Sequence, residues 1–179
     1  LHKEYRRQRQ MCIRDSYTWD KERVSSYIRY VDTDNQSHWL FDSFLFLEIM
    51  DTGTGGANKM FAKGYNLESA NQADWTKLID YYFQSETGIG ALDASVKEAS
   101  AILGTPRQKR QIVISIPEPI VYQHPEQASS STKYWGKIDN QTLDFSNSAD
   151  RIKACKWYID QVRAKFNEKN YCLLYTSPS

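Results

Sequence analysis

"SHWLFDSFLFLEIM", Ser37 to Met50, decides how this chain is read. From Trp39 to Met50 it is almost continuously apolar and aromatic, the pattern of a strand buried on both faces. The preceding "YIRYVDTDNQSHW" turns at Asp34-Asn35-Gln36, so Tyr27–Val31 is expected to pair with it as a short hairpin arm. A Gly- and Asn-rich stretch follows, and then "DWTKLIDYYF". There Trp75, Leu78, Ile79, Tyr82 and Phe83 recur with the period of one helix face, and Asn71 or Asp74 is placed to cap its start.

The same alternation continues. A second helix is expected from about Thr87, with Ile89, Leu92, Val96, Ala99 and Leu103 as its stripe, ended by Gly104 and Pro106. The β-branched run Gln111–Ile116 reads as a second strand, halted by Pro117 and Pro119. A long loop leads to Ser148, the expected cap of a third helix with the stripe Ile152, Cys155, Ile159, Val162 and Phe166. Strand, helices, strand, helix is an α/β signature with parallel strands. The most economical reading is two consecutive βα units of a partial (β/α)8 barrel. A doubly wound sheet is the alternative, but no Gly-rich phosphate turn leads from either strand directly into a helix.

The two ends do not share this pattern. "RRQRQMCIRDS" (Arg6–Ser16) and "CLLYTSPS" (Cys172–Ser179) match, residue by residue, the translation of a transposon-type sequencing adapter in its two orientations. Residues 1–16 and 172–179 are therefore expected to be adapter-derived, the first of them disordered, and 17–171 to be a fragment of one α/β domain. Setting residues 1–16 aside removes five cationic and two anionic residues and leaves 18 against 20, a net charge of −2 rather than +1. That balance gives no electrostatic footprint for nucleic acid. Only Cys155 of the three cysteines then remains, which permits neither an internal disulfide nor a cysteine metal cluster. About 155 residues, 40% of the whole chain being hydrophobic, suffice for one core, and no apolar run reaches the ~20 residues of a membrane span. No cofactor is indicated.

In α/β folds the chemistry gathers where parallel strands end. That rule selects Glu48, which ends "FLFLE", and Glu118, which ends "ISIPE", as a candidate acid/base or acid/nucleophile pair on a glycosidic bond. The plainer reading makes each a solvated or ion-paired strand-end carboxylate. Asp42 shares the parity of Phe44, Phe46 and Glu48; a substrate contact is possible there, and a structural ion pair is favoured. The loop "EPIVYQHPEQASSSTKYWGKIDNQTLDF" (Glu118–Phe145) offers Tyr122, Tyr134 and Trp135, whose rings suit stacking on sugars or pinning the loop to the domain, and His124 as a ligand contact. His38 is isolated. "DTG" at Asp51–Gly53 belongs, in aspartic proteases, to an antiparallel fold; "GTGG" lacks the ending of a P-loop; "DTDNQS" lacks the ligand spacing of a calcium loop.

The segments "WLFDSFLFLE", "ISIPEPI" and "WGKIDNQTLDFS…DRIKACKWYID" together resemble the bacterial domain-of-unknown-function family 4855, over essentially all of residues 17–171. The resemblance brings no established activity and no assigned catalytic residues. It implies a secreted or cell-surface setting near carbohydrate-degrading functions, and a chain that lacks the remainder of its own domain. Two function classes follow as expectations: a glycoside-hydrolase-like domain acting on carbohydrate, and a non-catalytic carbohydrate- or surface-binding module on the same scaffold.

Overall fold

A computed structural model of the chain describes residues 10–14, 19–51, 59–63, 68–121 and 134–176. It opens with β1 (Gln10–Arg14), α1 (Lys21–Ile28) and a hairpin of β2 (Arg29–Val31) and β3 (Ser37–Trp39). Then come β4 (Ser43–Leu47) and three two-residue strands, β5 (Met50–Asp51), β6 (Lys59–Met60) and β7 (Glu68–Ser69). The helices α2 (Gln72–Tyr82) and α3 (Gly88–Leu103) lead to β8 (Arg110–Ile114). A hairpin of β9 (Tyr134–Ile138) and β10 (Gln141–Asp144), α4 (Ser148–Lys169) and β11 (Leu174–Thr176) complete it.

The main sheet has the order β1-β4-β8-β11, and every neighbouring pair is parallel. The α/β class with parallel strands is as the periodicities indicate. The sheet is open among the described residues, so a closed barrel is not seen. Its two outer strands lie within the terminal segments that match adapter sequence, and Gln10–Arg14, expected as disordered, pairs along its whole length with β4.

The strands are less symmetric than the apolar run suggests. Phe44, Phe46 and Ile112 are at most 1% exposed and belong to the core with the helices, while Leu45, Leu47 and Val113 on the other face are only half-buried. One face of β4 and β8, not both, is fully buried. The helical face opposite is supplied by Trp75, Leu78, Ile79 and Tyr82 of α2, Ile89, Leu92 and Val96 of α3, and Ala154, Tyr158 and Val162 of α4. At ~1.5–3 kcal/mol for each fully buried large apolar side chain, this layer supplies the main driving force of the fold.

Helix α2 begins with a reciprocal cap. The Asn71 carboxamide oxygen accepts from the Ala73 and Asp74 amides, and the Asp74 carboxylate accepts from the Asn71 amide at 2.9 Å. The turn from α2 into α3 passes so close to the start of α3 that a Cβ on Gly90 would lie 2.2 Å from the Gln84 carbonyl oxygen. α4 departs from its expected stripe. Ile152 is 55% exposed, and Ala154 and Tyr158 turn inward beside Val162 and Phe166, the two members of the expected stripe that do pack on the core. Tyr158 is drawn edge-on against Trp75, with ring centroids 5.6 Å apart, and Trp157 edge-on against Trp135 at 5.4 Å, and these contacts set the roll of the helix. Its cap is Asn147 rather than Ser148.

The segment expected as one long loop contains the β9–β10 hairpin. Asp139 and Asn140 both have positive φ, the two-residue turn whose twist matches that of antiparallel strands. Gln72 holds this hairpin to α2: its carboxamide donates to the Lys137 carbonyl and accepts from the Lys137 amide, both at 2.9 Å. A Cβ on the neighbouring Gly136 would fall 2.3 Å from the Gln72 Oε1, so glycine is what lets the two elements meet.

Candidate functional site at the carboxyl edge of the sheet

Parallel β4 and β8 present two distinct ends. At the amino end, Asp42 Oδ1 lies 2.8 Å from Nη1 of Arg110, the ion pair favoured for Asp42. Arg110 is 2% exposed, and its guanidinium lies 4.5 Å above the Trp39 ring. Burial pulls the guanidinium below its usual value, and Asp42 opposes that shift. Asp42 is thus at the opposite end of the strands from Glu48, and its carboxylate is engaged by Arg110.

At the carboxyl end, the chain after β4 and the chain after β8 are tied together through residues 61–63. The Ile49 carbonyl accepts from the Phe61 amide at 2.8 Å and the Ala62 amide at 3.2 Å, and the Ser115 amide donates to the Phe46 carbonyl at 3.0 Å. Glu118 closes the arrangement from both its main chain and its side chain. Its amide donates to the Phe61 carbonyl at 2.7 Å, and its Oε2 accepts from the Lys63 amide at 2.7 Å. Glu48 and Glu118 therefore flank one short segment, the first half-buried and the second exposed.

Tyr82 packs behind the end of β4, and Tyr158 of α4 neighbours it. Tyr82, 4% exposed, packs edge-on against Phe46 with centroids 5.7 Å apart, on the strand face that Glu48 continues. Burial pushes its phenol well above the ordinary range, and the neighbouring Tyr158 and Glu48 add to the shift. Burial likewise raises Tyr158, which is 1% exposed. Both phenols keep their protons throughout the neutral range and are hydrogen-bond donors rather than bases. Neither tyrosine is visible as a site residue in the sequence, because a tyrosine on a helix stripe reads as core.

The aromatic candidates separate. Trp135 is 2% exposed and sits among Trp75, Phe145 and Trp157 at centroid distances of 5.0, 5.6 and 5.4 Å. Its ring is enclosed by other rings and has no face for a ligand, so the expected stacking role is corrected to a core role. Tyr134, one residue earlier on β9, points the other way and is 51% exposed. Tyr122 and His124 lie outside the described residues. His38 is on the β2–β3 hairpin, 2.6 Å from Asp32 and stacked on Tyr30. Asp32 also accepts from the Asp34 and Gln36 amides, which makes "DTDNQS" a side-chain-stabilised turn.

Among the described residues, no group of three or more His, Cys, Asp or Glu is placed to hold a metal ion, and no helix is long and apolar enough to cross a membrane. No curated protein and no solved structure matches the chain. A family model, that of a domain of unknown function, DUF4855, matches residues 12–176 and so spans both strand-end glutamates, the aromatic core and the four described helices. The chain belongs to the DUF4855 family.

Proposed function

We propose that this chain is part of a glycoside-hydrolase-like (β/α)8 domain that acts on carbohydrate through the carboxyl edge of its parallel sheet. The observation that carries the reading is the placement of Glu48 and Glu118 at the same edge of adjacent parallel strands, on either side of residues 61–63. A glycosidic bond needs two carboxyl groups facing one another across it, one to protonate the leaving oxygen and one to act as nucleophile or base. The barrel architecture is supported by strand order. Each parallel strand lies beside its predecessor in the chain, as in a barrel wall, whereas a doubly wound sheet reverses at a switch point. Tyr134 remains the exposed ring suited to stacking on a sugar.

A second reading, a carbohydrate-binding module without catalysis, is favoured by one contact. The Glu118 carboxylate anchors the Lys63 amide, a structural use of the side chain. The full-length gene product, screened on a glycan panel beside Glu48→Gln and Glu118→Gln, separates the two. Catalysis predicts turnover that falls by about 10²–10⁴-fold in each variant. Glycan binding without turnover, unchanged in both variants, establishes the module instead.

A further inference from the structure

We propose that Phe61 and Pro119 are positioning residues for Glu118, the first acting across the carboxyl edge of the sheet and the second from within its own chain. The inference rests on the reading of that edge as the carbohydrate site. It begins with "IPEPI", Ile116 to Ile120. Proline has no amide hydrogen, so Glu118 supplies the only backbone donor of residues 117–119. That donor goes to the Phe61 carbonyl at 2.7 Å. A residue before proline is held out of the helical region, and Pro119 imposes that limit on Glu118. Pro117 is buried and Ile120 is 5% exposed, so the exposed carboxylate stands on a short stretch anchored on both sides.

Phe61 holds Glu118 from the other side. It is 4% exposed and belongs to the same core as Phe46 and Tyr82. Its amide donates to the carbonyl of Ile49, the residue after Glu48, while its carbonyl accepts from Glu118. One residue anchored in the core therefore joins the chain beyond β4 to the chain beyond β8. Two positions on, the Lys63 amide meets Glu118 Oε2 at 2.7 Å and orients the carboxylate. Met60, just before Phe61, is 1% exposed, and its carbonyl accepts from the Ala70 amide at 3.1 Å, which ties the segment to the chain after β7. A glutamate that serves only to keep the surface polar needs none of these restraints. A carboxyl group that meets a glycosidic bond in one geometry does, because a small displacement of a reacting group costs a large factor in rate.

The test uses the full-length gene product and two measurements. The first is hydrogen exchange of the Lys63 amide, followed by NMR without substrate. It is expected to quicken by about tenfold in Phe61→Ala and in Pro119→Ala, the factor that corresponds to one lost hydrogen bond to a charged group, and to stay slow in Phe61→Leu. The second is steady-state kinetics on a glycan that the panel shows to be turned over. There kcat is expected to fall by about 10–10²-fold in both alanine variants with KM within about twofold, and Phe61→Leu to recover most of the loss. Unchanged exchange in both alanine variants overturns the inference, and so does a kcat that stays at the wild-type value while exchange quickens. If Phe61→Ala does not fold, Pro119→Ala decides alone. Because exchange needs no turnover, a panel without an active glycan strikes the proposed function and leaves the positioning to be decided by exchange. An active enzyme whose exchange does not move strikes Phe61 and Pro119 alone.

Discussion

The two ends of the β4–β8 pair treat their acids in opposite ways. At the amino end, Asp42 meets a buried guanidinium that also stacks on Trp39. At the carboxyl end, Glu118 is exposed and accepts from a backbone amide, and Glu48 is half-buried just past the end of β4. A fixed charge pair in low dielectric is a stability device, because either partner alone would be strongly disfavoured. The exposed Glu118 carboxylate is satisfied by a neutral backbone donor and needs no charge partner. The contrast makes the amino end a lock and leaves the carboxyl end, where parallel α/β architectures gather their chemistry, as the proposed site.

The largest expected effect lies in the aromatic layer that supports both ends. Trp135→Ala should cost about 3–5 kcal/mol in chemical denaturation, since Trp75, Phe145 and Trp157 all lose a ring contact. A cost below about 1 kcal/mol would return Trp135 to the surface and reopen its role in sugar stacking. Next comes the lock itself. Asp42→Asn leaves Arg110 buried without its charge partner and should destabilise by about 3 kcal/mol, near the low end for broken buried pairs because Asp42 is itself partly exposed. The double replacement Asp42→Leu with Arg110→Met should recover most of that loss. If it does not, the pair contributes through Trp39 rather than through charge.

Much of this contrast was legible in the sequence, and the reasons for the remainder are physical. The stripe of α2 declared itself because Trp75, Leu78, Ile79 and Tyr82 recur at helical spacing, and all four are buried. The strand run around Phe44 and the likelihood of an ion pair at Asp42 could be read from parity alone. The identity of its partner could not, since Arg110 is 68 residues away. Of the two roles the sequence left open for Trp135, stacking on a sugar or pinning its segment to the domain, composition could not choose; the rings of Trp75 and Trp157 enclose it and favour the second. The hairpin itself left a usable sign in Asp139-Asn140, two turn-forming residues between strand-like flanks, hidden inside what seemed one long loop. The roll of α4 had no such sign. Its apolar residues lie on more than one face, and Tyr158 prevailed only because Trp75 was there to receive it.

At the carboxyl end, Glu118→Gln should change stability by less than about 1 kcal/mol, because the amide oxygen of glutamine can still accept from Lys63 and the site is exposed. That small cost set against the large one for Asp42→Asn is the sharpest form of the comparison. Equal losses at both ends, measured by the same denaturation midpoint, would make Glu118 a lock as well and remove the distinction.

The smallest effect probes the hairpin that carries Trp39 over Arg110. The Gln36 amide, the His38 ring and the Asp34 amide hold the Asp32 carboxyl below its ordinary value of 3.8. A depressed folded value stabilises the turn above the unfolded value, and that contribution is lost as pH falls through the folded one. The Asp34 and Gln36 amide resonances should therefore move together on acidification from about pH 5 to about pH 2, with a shared midpoint below 3.8. Asp34 and Gln36 amides that move with separate midpoints would mean that the Asp32 carboxylate does not hold the turn as one unit.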